Sequence, residues 1–250
     1  MTNDERGDEI RMTKNRTPHP RRPAILAFLL LSSFVIRHSS FLQAAEPTPL
    51  LASWLAAQTN LRTWTADLVQ TRSLKTFSQP FTNQGRVWFA APDRFRWEVG
   101  VPVSTLAVRQ SAQMLVLYPR LHRAERYPLD GAQTGPWKDT LALLEAGFPR
   151  SASELDARFK VLSQTLTNDL CEIALAPRSA AARRMMPQIK ISFATNTFTL
   201  HATELHFADG STMRNDFTNA VLNPKVDEAM FTPRLEDGFN ISEPFRNSPP

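Results

Sequence analysis

Hydrophobic and polar positions along this 250-residue chain follow two periods, and the change between them divides it into elements. In "LLASWLAAQTNL", Leu50, Leu51, Trp54, Leu55 and Leu61 recur at helical spacing. Thr48-Pro49 just ahead has the form of an N-cap followed by a first-turn proline. At Trp64 the period shortens to two, with Trp64, Ala66 and Leu68 alternating with Thr65 and Asp67, as in a strand with one buried face. Strand patterns then come in close succession. "GRVWFA" and "RFRWEV" flank a Pro92-Asp93 turn, and "STLAVRQ", "QMLVLYPR" and "HRAERYPL" continue an antiparallel meander. Pro92 has no N–H for a ladder, so it belongs between strands rather than inside one.

A helical interlude covers about residues 136–159. Trp137, Leu141, Leu144 and Phe148 share one helix face, Gly147 and Pro149 end it, and Ser151 with Glu154 forms a capping-box pattern opening a second short helix. Strand patterns resume in "LCEIALAP", "IKISFAT", "FTLHATELHFA" and "STMRNDFTNA", with Asp209-Gly210 as a hairpin turn between the last two. No internal repeat appears, and residues 246–250 read as a loose tail. One amino-terminal helix, many antiparallel strands and a helical insertion predict a mainly β fold with helices, of the α+β class. The helices are expected to cover one face or mouth of a curved sheet or barrel.

Alternation also sorts side chains by face. Val87 and Phe89 lie opposite Arg86 and Trp88, and Phe95, Trp97 and Val99 lie opposite Arg94, Arg96 and Glu98. Leu106 and Val108 alternate with Arg109, and Ile189, Ile191 and Phe193 alternate with Lys190 and Ser192. These residues either fill a core completely or leave room for acyl chains; composition alone favours the filled core.

The first 45 residues change the charge picture. Arg16, Arg21 and Arg22 precede thirteen mostly apolar residues, Ala24 to Ile36, which suits an export-signal core and falls short of the roughly 20 a membrane span needs. Small residues Ala44 and Ala45 place cleavage nearby, and Met12 offers an alternative start with a purely basic lead-in. Residues 1–45 thus read as a signal peptide and residues 46–245 as one domain. The leader holds seven Lys or Arg and four Asp or Glu, so without it the net charge falls from +5 to +2. No basic block remains to track phosphates, which argues against a nucleic-acid partner. Cys171 stands alone, so no intrachain disulfide forms, and it is expected as a small buried apolar residue.

Catalytic and cofactor motifs are missing. Beyond the leader there are three histidines, His122, His201 and His206, and His201 alternates onto a solvent face. There is no HExxH or CxxC, no GxxxxGK[ST] or GxGxxG, and no GxSxG. The expectation is a non-enzymatic protein with no metal and no cofactor. Two charged stretches admit two readings each. "AARRMMP" is a docking patch for a membrane partner or a solvated helix end, and "PRLHRAERYPL" meets lipid phosphates or is a strand edge blunted by charge.

The order of motifs resembles the LolA-type periplasmic carriers of outer-membrane lipoproteins. "TWTADLVQT" with Ala66 and Gln70, "NQGRVWFAAPDRFRWEV", "QMLVLYPR" and the closing "FADGSTMRNDFTNAVLNPKVDEAMFTPRLEDGF" carry the likeness across most of residues 48–245. The resemblance implies a half-open antiparallel barrel closed by a helical lid. It implies that Phe95 and Trp97 face an apolar cavity, and parity adds Val87, Phe89 and Ala91. The full expected lining is these five with Val99, Leu106, Val108, Ile189, Ile191 and Phe193, under a lid bearing Leu51, Trp54, Leu55, Trp137, Leu141 and Leu144. The partners it implies are the acyl chains of lipoproteins or lipids, an inner-membrane release complex and an outer-membrane acceptor, for a monomeric periplasmic protein. A sensor of the same fold and an exported hydrolase are the competing readings. One position departs from the family: Ala91, preceded by Ala90, stands where those carriers keep an arginine that fastens the lid.

Overall fold

Helix α1 (Pro49–Thr59) begins where the Thr48-Pro49 signal puts it, with the Thr48 side chain accepting from the Leu51 amide at 3.4 Å. The computed structural model describes residues 48–129, 149, 151–233, 235 and 237–244. Leu51, Trp54, Leu55 and Gln58 form the buried stripe of α1, at i, i+3, i+4 and i+7. A helix this short is marginal alone and is held by the sheet beneath it.

Among the described residues twelve strands form one sheet. They are β1 (Thr63–Ser73), β2 (Phe81–Ala90), β3 (Arg94–Val99), β4 (Thr105–Arg109), β5 (Gln113–Tyr118), β6 (Arg123–Pro128), β7 (Phe159–Thr167), β8 (Leu170–Pro177), β9 (Gln188–Ala194), β10 (Leu200–His206), β11 (Thr212–Leu222) and β12 (Asn240–Ser242). Their order is β12-β6-β5-β4-β3-β2-β1-β11-β10-β9-β8-β7, so the sheet is open, with β12 and β7 at its two ends. All pairs are antiparallel except β12 with β6, which is parallel. The pairing of β1 with β11 joins the run β1–β6 to the run β7–β11.

Two short helices lie between strands. Helix α2 (Ala152–Arg158) is capped by Ser151, whose hydroxyl accepts from the Glu154 amide at 3.1 Å, and α3 (Ala180–Met185) is capped by Ser179. The turn at Asp209-Gly210 forms as its residues require: Gly210 has φ +84°, and Asp209 accepts from the Ser211 amide and hydroxyl at 2.9 and 2.6 Å. Strand β7 is not evident from the alternation pattern. Val161, Leu162 and Leu166 are exposed along it, and pairing with β8, broken by a register shift between Val161 and Ser163, makes it a strand. The signal segment, the 136–148 helical pattern with Trp137, Leu141 and Leu144, and the tail lie outside the described residues.

The arginines of "RFRWEV" have a structural task on the side away from α1. A 3-10 turn at Glu228–Phe231 is clipped to β3 by the Arg94–Glu228 ion pair and by Arg96 donating to the Met230 carbonyl at 3.2 Å. Gln110 donates to the Phe231 carbonyl at 2.9 Å, and Arg94 lies 5.2 Å from the Phe231 ring.

Candidate functional site

Pairing register decides which side chains share the face that α1 covers. Ala66 pairs with Val87 and Val87 with Trp97; Trp64 pairs with Phe89 and Phe89 with Phe95. On the other half, Cys171, Ile173 and Leu175 pair with Phe193, Ile191 and Ile189, and Leu68 pairs with Phe217. Directly paired residues point the same way, so these form one wall. The buried cluster on this wall includes the predicted Val87, Phe89, Ile189, Ile191 and Phe193 together with Leu51, Trp54 and Leu55 of α1. Trp54 stacks on Phe193 at 4.9 Å and 8°, and Trp97 meets Phe217 edge-on at 5.8 Å.

The predicted Phe95 belongs to a smaller cluster on the same face, with Met114 and Tyr127. Trp97 is only half-buried and packs against both clusters, so it links them on one face of the sheet. Ala91 sits half-buried at the margin of the larger cluster, its amide bonded to the Arg62 carbonyl at 2.8 Å. Val99 is buried and pairs with Gly85, where an added Cβ would stand 2.0 Å from the Glu98 carbonyl oxygen; only glycine fits there.

Leu106 and Val108 are not on this wall, against the expectation. Trp97 pairs with Ala107 and Phe95 with Arg109, which turns Leu106 and Val108 to the opposite side. There they bury against Leu115, Leu117 and Ala124 under Val103, Leu235 and Phe239. Two apolar residues alternating on a five-residue strand identify a buried face but not which face it is. Wall residues that the expected lining left out include Trp64, Ala66, Leu68, Cys171, Ile173, Leu175 and Phe217 on the larger cluster and Ala107, Met114, Val116 and Tyr127 on the smaller one.

Polar groups interrupt the wall in three places. Asn215, 2% exposed, accepts from the Gln70 amide nitrogen at 3.0 Å and donates to the Thr203 hydroxyl at 3.2 Å, linking β1, β11 and β10. Arg109 lies 3.7 Å from Asp93; burial lowers its pKa, and the Asp93 charge opposes that shift. Glu125 receives the Tyr127 hydroxyl at 2.6 Å and the Tyr118 hydroxyl at 3.4 Å, with Arg123 3.4 Å away. Burial pushes both tyrosines above the usual phenol range, helped next by the Glu125 hydrogen bond at Tyr127 and by the Glu125 charge at Tyr118.

The opposite face is charged across much of its width. Asp67–Arg86 at 3.6 Å, Arg96–Glu98 at 2.6 Å, Glu204–Arg214 at 3.1 Å and Glu172–Lys190 at 3.3 Å pair opposite charges along or across its strands. Arg183 of "AARRMMP" donates to the Pro177 and Arg178 carbonyls at 2.7 and 2.6 Å, so it braces its own helix. Arg126 and Arg123 are engaged with Glu243 and Glu125, at 3.6 and 3.4 Å.

The chain matches the family described as "Outer membrane lipoprotein carrier protein LolA" over residues 59–234. An outer-membrane lipoprotein carrier protein of Chromohalobacter salexigens is 24% identical over 158 residues, which cover 63% of this chain and 70% of that one. A solved LolA superfamily protein from Nitrosomonas europaea shows 8% identity and a TM-score of 0.37, covering 71% of this chain and 96% of that chain. An uncharacterized conserved protein from Thermus thermophilus shows 10% identity and a TM-score of 0.44, covering 76% and 94% respectively.

Proposed function

The chain belongs to the LolA family of outer-membrane lipoprotein carrier proteins, and from that premise we propose that it is a periplasmic carrier that takes up lipoprotein acyl chains and conveys them toward the outer membrane. The reading locates the acyl chains on the wall beneath α1, between Phe95, Trp97, Val87 and Phe89 on one half and Ile189, Ile191 and Phe193 on the other. The observation that carries it is the half-buried Trp97, which packs against both apolar clusters on the face that α1 covers.

The energetics suit a carrier. Each buried methylene contributes roughly 0.8 kcal/mol, so one acyl chain of ordinary length supplies a large driving force. Release is the harder step. Leu51, Trp54 and Leu55 pack on part of the wall, so cargo competes with α1 and the apparent dissociation constant rises as the open state becomes scarce. An inner-membrane complex that loads the carrier and an outer-membrane acceptor that unloads it are the partners this cycle needs, with the carrier acting as a monomer. The charged opposite face supports passage through water.

Native mass spectrometry of the protein, exported with its own leader and purified without detergent, tests the reading. Co-purified lipid or acylated polypeptide is the expected result. A clean unliganded mass across preparations, with no acquisition of added lipopeptide, would overturn it.

A further inference from the structure

The underside of α1 holds a polar group that the apolar wall does not explain. Trp54 is fully buried, yet its indole nitrogen has no hydrogen-bond acceptor among the described residues. Buried tryptophans ordinarily find a partner for this N–H, because leaving it unmade forfeits the hydration it had in the unfolded chain. The ring itself is well placed, stacked flat on Phe193, which in turn contacts Phe198 at 6.4 Å. Poor packing is therefore not what strands the nitrogen.

One turn along the same stripe, Gln58 repeats the pattern in weaker form. Its side chain is buried, and among the described residues its amide nitrogen reaches only the Phe198 carbonyl, at 3.4 Å. Residues at i and i+4 are neighbours on a helix face. The stripe therefore offers one donor without an acceptor and one at the limit of bonding distance, both over the β9–β10 turn. The helix "PLLASWLAAQT" carries no charged residue. A charged acceptor buried there would lose its hydration with no cation on the helix to offset the loss. The matching ligand group is a neutral acceptor attached to an apolar chain, and an acyl ester or amide carbonyl has that chemistry.

We propose that the Trp54 indole N–H is a specificity-determining donor that donates to the carbonyl oxygen of an acyl ester or amide when cargo occupies the wall beneath α1. This rests on the acyl-binding reading above. It adds that the protein distinguishes acyl chains from alkyl chains of the same length.

The test titrates the full mature protein with short-chain ester-linked phosphatidylcholine and with its ether-linked analogue, which keeps chains and headgroup but lacks the carbonyls. Wild type is expected to bind the ester about fivefold more tightly, the value of one neutral hydrogen bond. Trp54→Phe, which keeps a ring for Phe193 to stack on, is expected to bind both equally. Should that variant fail to fold, the assigned Trp54 indole proton resonance in wild type replaces it, and is expected to move downfield with the ester and not with the ether. Equal binding of both lipids by wild type, an ester preference surviving Trp54→Phe, or an indole resonance indifferent to the ester overturns the proposal while leaving the carrier reading in place. Failure of wild type to bind either lipid removes both.

Discussion

Val108→Ala separates the two faces of the sheet. Val108 is fully buried, pairs with Leu115 and packs among Leu106, Leu117 and Ala124 on the side away from α1. Removing the equivalent of two methylenes forfeits ~1.6 kcal/mol of transfer free energy. The cavity left between two paired strands collapses only in part and adds about 1 kcal/mol. The expected destabilisation is therefore about 2–3 kcal/mol, which at an m-value of ~2.5 kcal/mol per molar moves the urea midpoint down by about 1 M. Unfolding is followed by near-ultraviolet circular dichroism, and binding of a fluorescent fatty-acyl probe is titrated in native buffer. Because Val108 does not face the proposed binding wall, probe affinity should stay within twofold of wild type. Ala107→Asp is the converse perturbation: Ala107 is half-buried, pairs with Trp97 and faces the wall. It should cost little stability and weaken the probe at least tenfold. If Val108→Ala weakened probe binding severalfold while Ala107→Asp did not, the face assignment drawn from the β3–β4 register would be wrong.

Other expectations follow from single contacts. Gln70→Ala and Asn215→Ala should show a coupling of about 1 kcal/mol in a double-mutant cycle by urea denaturation, since each removes the bond between half-buried Gln70 and buried Asn215; strict additivity would refute the bond. Tyr127 is held neutral by burial and Glu125, so its folded pKa exceeds its unfolded value of about 10. Stability is fully present below pH ~10 and falls as pH rises above it, and thermal unfolding between pH 10 and 12 should show a shallower decline for Tyr127→Phe. Ala91→Arg places an arginine at the position where the resemblance implies one that fastens a lid. It is expected to stabilise the closed state and weaken acyl-probe retention; tighter or unchanged retention would count against it.

Alternation and turn chemistry made most of the fold legible without coordinates. RFRWEV and LCEIALAP are strands with the bounds their patterns set, QMLVLYPR overruns its strand by Pro119 and Arg120, and the Thr48, Ser151 and Asp209-Gly210 signals sit at the helix starts and the hairpin they announced. These features are local: a cap, a turn and a period-two face each depend on residues within a few positions of one another. Val87, Phe89, Phe95 and Trp97 could be grouped from sequence because one short hairpin pairs them directly. Strand β7 could not be read, because Val161, Leu162 and Leu166 are exposed and its existence depends on β8.

Tertiary structure decided what lies far apart along the chain. Gln70 and Asn215 both stood in recognisable motifs, but only the β1–β11 pairing brings them to 3.0 Å. Leu106 and Val108 carry an alternation equally consistent with either side of the sheet, and the β3–β4 register assigns them to the side that Leu235 and Phe239 cover. Trp54 looked like one more apolar residue of an amphipathic helix; only its burial against Phe193 exposes the unmade bond of its indole nitrogen. A period states that a face exists. Which face meets which, and which polar atom is left without a partner there, depends on long-range pairing that no local pattern encodes.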